Sequence, residues 1–279
     1  MGRSSGLLRE RRLQKILEEV RAKGQVNVSE LSRHFGVSEV TIRRDLKELA
    51  RRNLLHRIHG GALPASPLAP EPPVVQRLAQ ERRWKQAIGR AAANLVHDGE
   101  SVFLGSGSTT TYVAHYFRTR HQLTVVTNAL TVSLVLASVP DITLVVTGGM
   151  MRASELSLIG HIAENALREV RVDKVIMGIR ALDVEAGLTN DYLPEVMTDR
   201  AIIEMADDII VVADHTKFGK VASAFVAPID KVTTIVTDTR VPPEMVAQLQ
   251  ARGIRVIQAE PDEESALDIP LPSLLNGLR

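Results

Sequence analysis

Basic side chains with regular spacing between Ser38 and Arg51 have the chemistry for binding nucleic acid. In the segment SEVTIRRDLKELAR, helical periodicity places Ile42, Leu46 and Leu49 on one face. The opposite face carries cationic and small polar side chains, which can contact phosphates and base edges. The pattern predicts a DNA-recognition helix whose contact residues are Ser38, Glu39, Val40, Thr41, Arg43, Arg44, Lys47 and Arg51.

A second group of residues has the chemistry for binding an anion. In GSGSTTTYVAHYF, residues 105–117, a Gly/Ser/Thr turn joins a predicted strand to a predicted helix. Backbone N–H groups and hydroxyls at a helix N-terminus can hold a phosphate. Known phosphate motifs match only in part, because Thr110 stands where a dinucleotide pattern needs glycine and no lysine follows the turn. A plain strand-to-helix connection therefore stays open as the alternative.

Two further helices are predicted before the recognition helix. Apolar spacing over residues 13–20 predicts a first helix that ends near Gly24. Ser29 is expected to cap the second helix, and Gly36 to supply the turn after it. Ser38 is expected to cap the recognition helix. This arrangement is typical of a helix-turn-helix.

A short apolar run at residues 54–58, followed by HGG, predicts a β-hairpin wing. The wing would bring Arg57 and His59 to the DNA backbone or minor groove. The basic residues could instead form a solvated helix face and a surface turn. The coincidence of three helices, two caps, a turn glycine, a wing and a strongly basic composition favours DNA binding.

Charge and proline content divide the chain into a basic head and an acidic body. Of the 279 residues, positions 1–63 carry 14 Lys and Arg against 7 Asp and Glu, net +7, and the remainder carries 20 against 26, net −6. Five of the 13 prolines lie in residues 64–73. We predict a winged helix-turn-helix domain at 1–63, a proline-rich linker at 64–83, an effector-sensing α/β domain at 84–260 and a C-terminal tail at 261–279.

Composition also limits the compartment and the cofactors. There is no cysteine, and aromatic residues make up 3% of the chain, which argues against stacking on single-stranded nucleic acid. The N-terminus lacks a signal-peptide pattern, and no apolar run reaches the length of a membrane span. We therefore expect a cytoplasmic protein that does not bind membranes. The histidines lack paired ligand spacing, so neither a metal nor another cofactor is expected.

Apolar strand-like runs alternate with helical patterns through the body. They include residues 123–128, 142–149, 172–179 and 208–214. Strands that are apolar throughout and separated by helices predict a doubly wound, mostly parallel sheet covered on both faces. Ligands bind beyond the carboxyl ends of such strands. The residues that fall there are Thr127, Asn128, Gly148, Gly149, Arg180 and Asp214.

An ordered set of motifs makes the resemblance to one family specific. FGVSEVTIRRDLKEL, HRIHGGA, GSGSTTT, VVTN, TGGMMR, LSLIG, DKVIMG, GLTND, ADHTKFG and VTD follow one another between Leu13 and Asp238. This order closely resembles the DeoR family of bacterial transcriptional repressors. The resemblance implies a winged helix-turn-helix joined to a sensor domain related to ribose-5-phosphate isomerase. It also implies double-stranded operator DNA as one partner and a small phosphorylated metabolite as the effector that releases it.

The resemblance implies an effector site built from several matching segments. These are the Gly/Ser/Thr turn, the TN pair, the paired glycines, the glycine of DKVIMG, the GLT segment and the lysine of TKFG. The implied effector-binding residues are Ser106, Gly107, Ser108, Thr109, Thr110, Thr127, Asn128, Gly148, Gly149, Gly178, Gly187, Thr189 and Lys217.

Three positions depart from the family pattern. Family members commonly have aspartate where this chain has Gly105 and Arg180, and lysine where it has Asp199. Arginine is a planar, permanently charged donor suited to phosphate or carboxylate. We therefore add Arg180 to the effector site and expect an effector that is more anionic, or differently placed, than in typical relatives.

Two other functions compete with a regulated repressor. A sugar-phosphate isomerase-like enzyme would need a positioned carboxylate, and two expected carboxylate positions are Gly105 and Arg180, although Glu195 and Asp214 remain. An architectural DNA binder would have a body that only forms oligomers. Converging hydroxyls and cations favour a sensor over that role. We expect no enzyme activity, and a homodimer or homotetramer that presents its heads to symmetric half-sites.

Overall fold

The computed structural model describes residues 2–23, 26–51, 54–58, 60–64, 68 and 71–261. These residues form two compact units. The first comprises positions up to 70 together with Ala222–Ala224, and the second comprises the other described positions from Glu71 onward. No helix in the described ranges combines the length and apolarity that crossing a bilayer requires.

The first unit, here called the head, is a winged helix-turn-helix. Its three helices pack on a three-stranded antiparallel sheet of strand order β1-β3-β2. This confirms the expected fold of the N-terminal segment. The helices are α1 (Gly2–Lys23), α2 (Val28–Phe35) and α3 (Glu39–Arg51), and the strands are β1 (Val26–Asn27), β2 (Leu55–Ile58) and β3 (Gly61–Pro64).

The apolar face predicted for the recognition helix forms part of the head's core. Ile42, Leu46 and Leu49 are at most 1% exposed and pack with Leu13, Ile16 and other apolar side chains of α1 and α2. Each fully buried side chain of this size stabilises the fold by about 1.5–3 kcal/mol. The packing fixes which face of α3 is left for another molecule.

The caps agree with the sequence at one helix and differ at the other. Ser38 Oγ accepts a hydrogen bond from the Thr41 N–H at 3.3 Å, as expected for the cap of α3. Gly36 ends α2 with φ of 62°. The expectation that Ser29 caps α2 is wrong. The helix already begins at Val28, whose side chain is buried and whose N–H donates to the Gly60 carbonyl at 2.8 Å.

The predicted wing is an antiparallel hairpin of β2 and β3, with Arg57 opposite Ala62. Gly60 has a φ of 80°, which L side chains rarely adopt. A Cβ atom at Gly61 would lie 2.1 Å from the Val26 carbonyl oxygen, so only glycine lets β3 pair with β1. His59, predicted to contact DNA, lies outside the described residues.

The second unit, here called the body, contains a seven-stranded sheet. All pairs are parallel, and the strand order is β15-β14-β12-β9-β4-β5-β6. The order reverses between β4 and β9, which is the switch point where doubly wound sheets bind ligands. The strands are β4 (Ser101–Leu104), β5 (Leu123–Thr127), β6 (Ile142–Val146), β9 (Lys174–Met177), β12 (Asp208–Val212), β14 (Thr234–Asp238) and β15 (Arg255–Ala259).

Consecutive residues of an interior strand, β4, are buried, so both faces of the sheet are covered there. Val102, Phe103 and Leu104 of β4 have no exposed surface although their side chains alternate between faces. This confirms the expected doubly wound α/β class. The covering helices of the body are α4 (Val74–Ala79), α5 (Arg82–Ala93), α6 (Ser108–Phe117), α7 (Leu130–Leu136), α8 (His161–Arg168), α9 (Leu193–Ile203) and α10 (Pro243–Ala251).

Two small sheets are additions that the sequence patterns did not predict. One pairs β7 with β8, and the other has the order β10-β11-β13. Their strands are only three or four residues long, which is too short for an apolar run or an alternation to mark them. The strands are β7 (Met150–Arg152), β8 (Ser157–Ile159), β10 (Ala181–Asp183), β11 (Gly187–Asn190) and β13 (Ala224–Ala227).

The body begins earlier than the predicted boundary at residue 84. Within the expected linker, Val74 and Leu78 of α4 are buried among body residues, with exposed fractions of 0% and 4%. Proline at 72 and 73 is compatible with this helix because it precedes the first turn. Residues 71–83 therefore belong to the body, and the predicted linker reduces to the positions before them.

Candidate functional site

The exposed face of α3 carries cations that no carboxylate neutralises. Arg44 and Lys47 are exposed and form no ion pair with the described residues, and the same holds for Arg57 of the wing. Val40 lies between Arg44 and Lys47 when α3 is viewed down its axis, and it is 60% exposed. An apolar side chain in this position can contact a thymine methyl group, while the cations can contact bases or phosphates.

The remaining predicted contact residues of α3 are also accessible. Ser38 and Glu39 are exposed, and Thr41 is partly exposed. Arg43 pairs with Glu39 at 3.0 Å and Arg51 with Glu48 at 2.9 Å. Exposed pairs of this kind contribute about 0–1 kcal/mol, so a phosphate can replace the carboxylate at little cost.

Asp45 is a buried residue of α3 that the sequence patterns did not single out. Its carboxylate is 2% exposed and accepts from Arg12 Nε at 2.7 Å and Arg9 Nε at 3.3 Å. These contacts tie α1 to the recognition helix. The sequence does contain one indication of this role. Asp45 falls on the apolar side of a predicted amphipathic helix, where a charge without a partner would be strongly unfavourable, so a cationic partner is expected.

The Gly/Ser/Thr turn of the body lies after β4, at the switch point of the sheet. Gly107 precedes α6 with φ of 135°, and no side chain caps that helix. The hydroxyls of Ser106, Ser108 and Thr109 form no hydrogen bond with the described residues. The first N–H groups of a helix also lack partners within it. The turn thus offers several donors to an anion.

One predicted hydroxyl of this turn has a structural role. Thr110 Oγ1 donates to the Gly107 carbonyl at 2.9 Å, and Thr111 Oγ1 donates to the same oxygen at 2.7 Å. Thr110 is fully buried. These two hydroxyls stabilise the start of α6, so the donors available to a ligand are those of the neighbouring residues.

The TN pair follows β5, next to the turn. Thr127 Oγ1 donates to the Leu104 carbonyl at 2.6 Å and accepts from the Ala129 N–H at 3.0 Å, so it joins β5 to β4. Asn128 Nδ2 donates to the Leu158 carbonyl at 3.2 Å. Its buried Oδ1 has no hydrogen-bond partner in the described chain. Because buried acceptors are normally satisfied, Asn128 is the better candidate for binding a hydroxyl.

The glycines predicted for the site have packing reasons of their own. A Cβ atom added at Gly149 would lie 2.8 Å from the Ile159 carbonyl oxygen. One added at Gly187 would lie 2.4 Å from the Ala227 carbonyl oxygen. Gly148 has a φ of 70°. At Gly178 the nearest atom would be the Ser106 carbonyl oxygen at 3.4 Å, which brings the end of β9 against the turn. Thr189 lies opposite Ala181 in the β10–β11 pair.

Arg180 and Lys217, both predicted to bind the effector, form ion pairs with carboxylates of the body. Arg180 Nε donates to Asp191 at 2.8 Å, and its Nη1 lies 3.8 Å from Glu71 Oε1. Lys217 pairs with the same oxygen of Glu71, and Arg77 Nη1 lies 3.2 Å from it. The two cations predicted to bind the effector are therefore already paired with Glu71 and Asp191, carboxylates that the sequence patterns did not identify.

The electrostatics of Glu71 reflect this convergence. Burial by itself would raise its pKa, but Lys217, Arg77 and Arg180 outweigh burial and hold the pKa of Glu71 below its usual value. Glu71 is therefore a stable carboxylate at neutral pH. It was overlooked because it lies in the proline-rich segment that was predicted to be a linker.

The carboxylates that could support catalysis are engaged in a second buried cluster. Glu195 pairs with Arg152, accepts from Ser157 Oγ at 2.9 Å and accepts from Asn190 Nδ2 at 3.2 Å. Asn190 Nδ2 also donates to Asp199 at 2.9 Å. Burial raises the pKa of Asp199 well above its usual range, and the nearby Glu195 adds to the shift.

Asp214, the other remaining carboxylate, caps a short 3-10 helix. It accepts from the Thr216 N–H at 3.0 Å, and Lys85 Nζ lies 3.9 Å away. Lys85 also donates to the carbonyls of Arg77 at 2.8 Å and Gln80 at 2.7 Å. Burial lowers the pKa of Lys85 to about 8, although Asp214 opposes that change.

Comparison with known families gives two adjoining matches. Residues 12–67 match the model of the DeoR-like helix-turn-helix domain, and residues 80–239 match the DeoR C terminal sensor domain. The glycerol-3-phosphate regulon repressor of Escherichia coli K12 is 37% identical over 84% of this chain and 92% of that protein. The transcriptional repressor AccR of Agrobacterium fabrum is 34% identical over 81% of this chain and 88% of its own length.

Solved structures give a more distant likeness. Ribose 5-phosphate isomerase A from Methanocaldococcus jannaschii is 18% identical, with a TM-score of 0.37 over 50% of this chain and 55% of the isomerase.

Proposed function

The chain belongs to the DeoR family of transcriptional regulators, and from that premise we propose that it is a repressor whose operator affinity is set by a phosphorylated sugar or similar anionic metabolite. The proposal assigns operator recognition to the head and effector binding to the switch point of the body. Each of the two activities rests on residues of one unit.

The observation that supports operator binding is the uncompensated charge on α3. Arg44 and Lys47 carry no partner carboxylate among the described residues, while the opposite face of the helix is buried. A helix with one packed face and one cationic face fits the major groove. Arg57 of the wing adds a cation beside it, where backbone or minor-groove contact is expected.

The observation that supports effector binding is the set of unsatisfied polar groups at the switch point. The hydroxyls of Ser106, Ser108 and Thr109 have no partner in the described chain, and Asn128 Oδ1 is buried without one. Donors at a helix N-terminus suit a phosphate group. An adjacent acceptor suits a sugar hydroxyl. Together they favour a ligand that carries both groups.

The test is a thermal-shift screen of the full chain against sugar phosphates, each paired with its unphosphorylated parent. Glycerol 3-phosphate belongs in the panel because one relative is named for the regulon of that compound. A ligand at 100 times its Kd stabilises the folded state by about 2.7 kcal/mol, a shift of several degrees for a unit of this size. If no phosphorylated compound shifts the Tm or changes duplex affinity, the effector proposal is rejected.

An isomerase-like activity is the competing proposal. Glu195 and Asp214, the carboxylates left for proton transfer, are held by Arg152, Thr216 and Lys85 rather than exposed to a substrate. Gly105 has no side chain with which to replace them. We therefore propose that the chain is not an enzyme. Turnover of pentose phosphates by the purified protein would contradict this.

We also propose that two heads act together on one operator in a homodimer or homotetramer. A symmetric pair of recognition helices would read half-sites about 10–10.5 base pairs apart, so the operator should be close to a palindrome. Light scattering gives the mass of the assembly. Footprinting gives the spacing of the protected half-sites, and a monomer that protects a single half-site would contradict the proposal.

A further inference from the structure

One carboxylate occupies the place where the effector's acidic group is expected. Glu71 Oε1 is approached by Lys217, by Arg77 at 3.2 Å and by Arg180 at 3.8 Å. Arg77 and Arg180 have second carboxylate partners, Glu155 and Asp191 respectively. Lys217 pairs with no other carboxylate in the described part of the chain. Glu71 therefore neutralises a cation that would otherwise face an incoming anion.

The fold places this ion cluster beside the Gly/Ser/Thr turn. Arg180 follows β9 and Lys217 follows β12, while the turn follows β4. The strands lie in the order β4-β9-β12 and are parallel, so their carboxyl ends meet at one edge of the sheet. The approach of Gly178 to the Ser106 carbonyl brings the segments together. An anion at the turn would be near Glu71.

The position of Glu71 in the chain gives it a second property. It is the first residue of the body, directly after the segment that leads from the head. Pro72 and Pro73 follow it and lack N–H groups, and the Pro72 carbonyl accepts a hydrogen bond from Arg77 Nε at 2.9 Å. The far end of α4 is held independently, because Lys85 donates to the Arg77 and Gln80 carbonyls. The ionic contacts of Glu71 thus act together with the Arg77–Pro72 and Val74–Ser154 hydrogen bonds to hold the first residues of the body.

We propose that Glu71 is an internal competitor for the anionic effector, and that displacement of its carboxylate from Lys217 and Arg180 loosens residues 71–77 at the start of the body. This inference rests on the proposed function, since it concerns the same effector site. It identifies the group that sets effector affinity and the part of the body that responds to binding.

The effector and the Glu71 carboxylate compete because both are negatively charged. A phosphate and a carboxylate that contact the same lysine repel each other, and this repulsion is stronger in a partly buried site than in water. Phosphate carries more charge than a carboxylate and has more acceptor oxygens for the arginines and lysine around it. Glu71 has the advantage of being tethered, so its effective concentration is high. The competition gives the ligand a differential affinity for two arrangements, which any ligand-driven change requires.

The first test compares phosphate binding by the full chain with Glu71→Gln and by the wild type. Inorganic phosphate is titrated against chloride at matched ionic strength, and binding is followed by thermal shift and calorimetry. We expect Glu71→Gln to lower the Kd for phosphate by about tenfold or more, equivalent to about 1.4 kcal/mol. Glu81→Gln is the matched control, because Glu81 forms an exposed pair with Arg240 at 2.6 Å and should leave the Kd unchanged.

The second test separates competition from a purely structural ion pair. Hydrogen exchange is measured at Val74, whose N–H donates to the Ser154 carbonyl at 2.8 Å, and at Gln76 and Arg77. Phosphate should accelerate exchange there in the wild type, and Glu71→Gln should show the faster exchange without phosphate. The duplex affinity of unliganded Glu71→Gln should equal that of the phosphate-saturated wild type. A static ion pair predicts slower or unchanged exchange when phosphate binds.

Failure of this inference can be told from failure of the proposed function. If wild type binds sugar phosphates but folded Glu71→Gln binds phosphate no more tightly, the competition is rejected and the effector site stands. If no sugar phosphate affects the wild type while Glu71→Gln still gains phosphate affinity, the effector class is rejected and the competition stands. Should Glu71→Gln fail to fold, Glu71→Asp retracts the carboxylate by one methylene, and unchanged or weaker phosphate binding by that variant overturns the inference.

Discussion

At the level of single residues, Arg44 and Lys47 are expected to make different contacts with DNA. Arg44 lies near the start of α3, where recognition helices reach base edges, and Lys47 lies one turn further on. Arg44→Ala should cost about 1–3 kcal/mol on the preferred duplex and relax base preference, if the guanidinium reads guanine. Lys47→Ala should weaken binding evenly on all duplexes and reduce the salt dependence by about one phosphate contact.

The measurement is fluorescence anisotropy with a duplex selected from a random library by the wild type, and with its scrambled counterpart. Arg118→Ala, which removes an exposed cation of the body, controls for the loss of one positive charge. If Arg44→Ala and Lys47→Ala each lose the same affinity on both duplexes, neither side chain reads bases and the proposed division of roles is wrong.

Asp199 gives a prediction about pH at the same scale. Burial and Glu195 raise its pKa well above the usual range, so the folded state favours the protonated carboxyl. That contribution to stability is complete below the pKa of the unfolded chain, about 4, and is lost as the pH rises through the raised pKa. Asp199→Asn cannot ionise, so its Tm should exceed that of the wild type by more at pH 8 than at pH 5.

Thermal unfolding between pH 5 and pH 8 at constant ionic strength tests this expectation. Asp207→Asn is the control, because Asp207 is exposed on the loop that precedes β12. If Asp199→Asn and wild type lose stability in parallel as the pH rises, Asp199 is ionised throughout the range.

The sequence predicts single residues well where their neighbours along the chain decide their role. The periodicity of residues 38–51 separated the buried side chains of α3 from the exposed ones, and Ser38 was recognised as a cap from local chemistry alone. Contacts between distant positions were missed. Lys217 meets Glu71 across 146 positions, and Asp45 meets Arg12 across 33, so no local pattern records either pair.

At the level of elements, the buried ion pairs of Asp45 should orient the recognition helix without touching DNA. Its carboxylate accepts from two arginines of α1 while lying inside the core face of α3. Asp45→Asn keeps the shape but removes the charge, and hydrogen bonds to charged groups contribute about 1.5–3 kcal/mol. We expect a lower Tm of the head and weaker binding to every duplex.

Glu48→Gln is the matched control, since it removes a carboxylate on the same helix whose partner Arg51 is exposed. Surface pairs contribute little, so its Tm and duplex affinity should stay near wild type. Circular dichroism follows unfolding, and anisotropy follows binding. Equal behaviour of the two variants would mean that Asp45 does not fix the helix.

Element prediction succeeded where burial imposes a strong pattern. The strands of the parallel sheet are apolar on both faces and were located within a few residues, as with the predicted run 208–214 and the observed Asp208–Val212. The β7–β8 hairpin is short, and β7 is mostly exposed, so no apolar pattern in the sequence predicts it. The helix α4 was missed because prolines precede it, and proline was read as a linker signal rather than as a helix start.

At the level of the whole molecule, the charge asymmetry between the two halves was visible in the sequence, and the family motifs were enough to identify both units. The strand order was not predictable from residues alone. The strand order depends on which face of the sheet each connecting helix crosses. The apolar pattern of a strand does not record this, because it is the same at any interior position of the sheet. The reversal between β4 and β9, where the effector site is proposed, is therefore visible only in the structure.

Coupling between the head and the body predicts a reciprocal effect that can be measured on the intact chain. If a phosphorylated metabolite changes duplex affinity by some factor, saturating duplex must change metabolite affinity by the same factor, for which about 5–150-fold is typical. Anisotropy gives the first ratio and calorimetry the second, both at matched ionic strength, because added salt alone weakens DNA binding. An architectural DNA binder would give a ratio of one in both experiments. A change in duplex affinity without the matching change in metabolite affinity would mean that the metabolite competes at the DNA-binding surface or acts on the DNA, and the two-site mechanism would have to be given up.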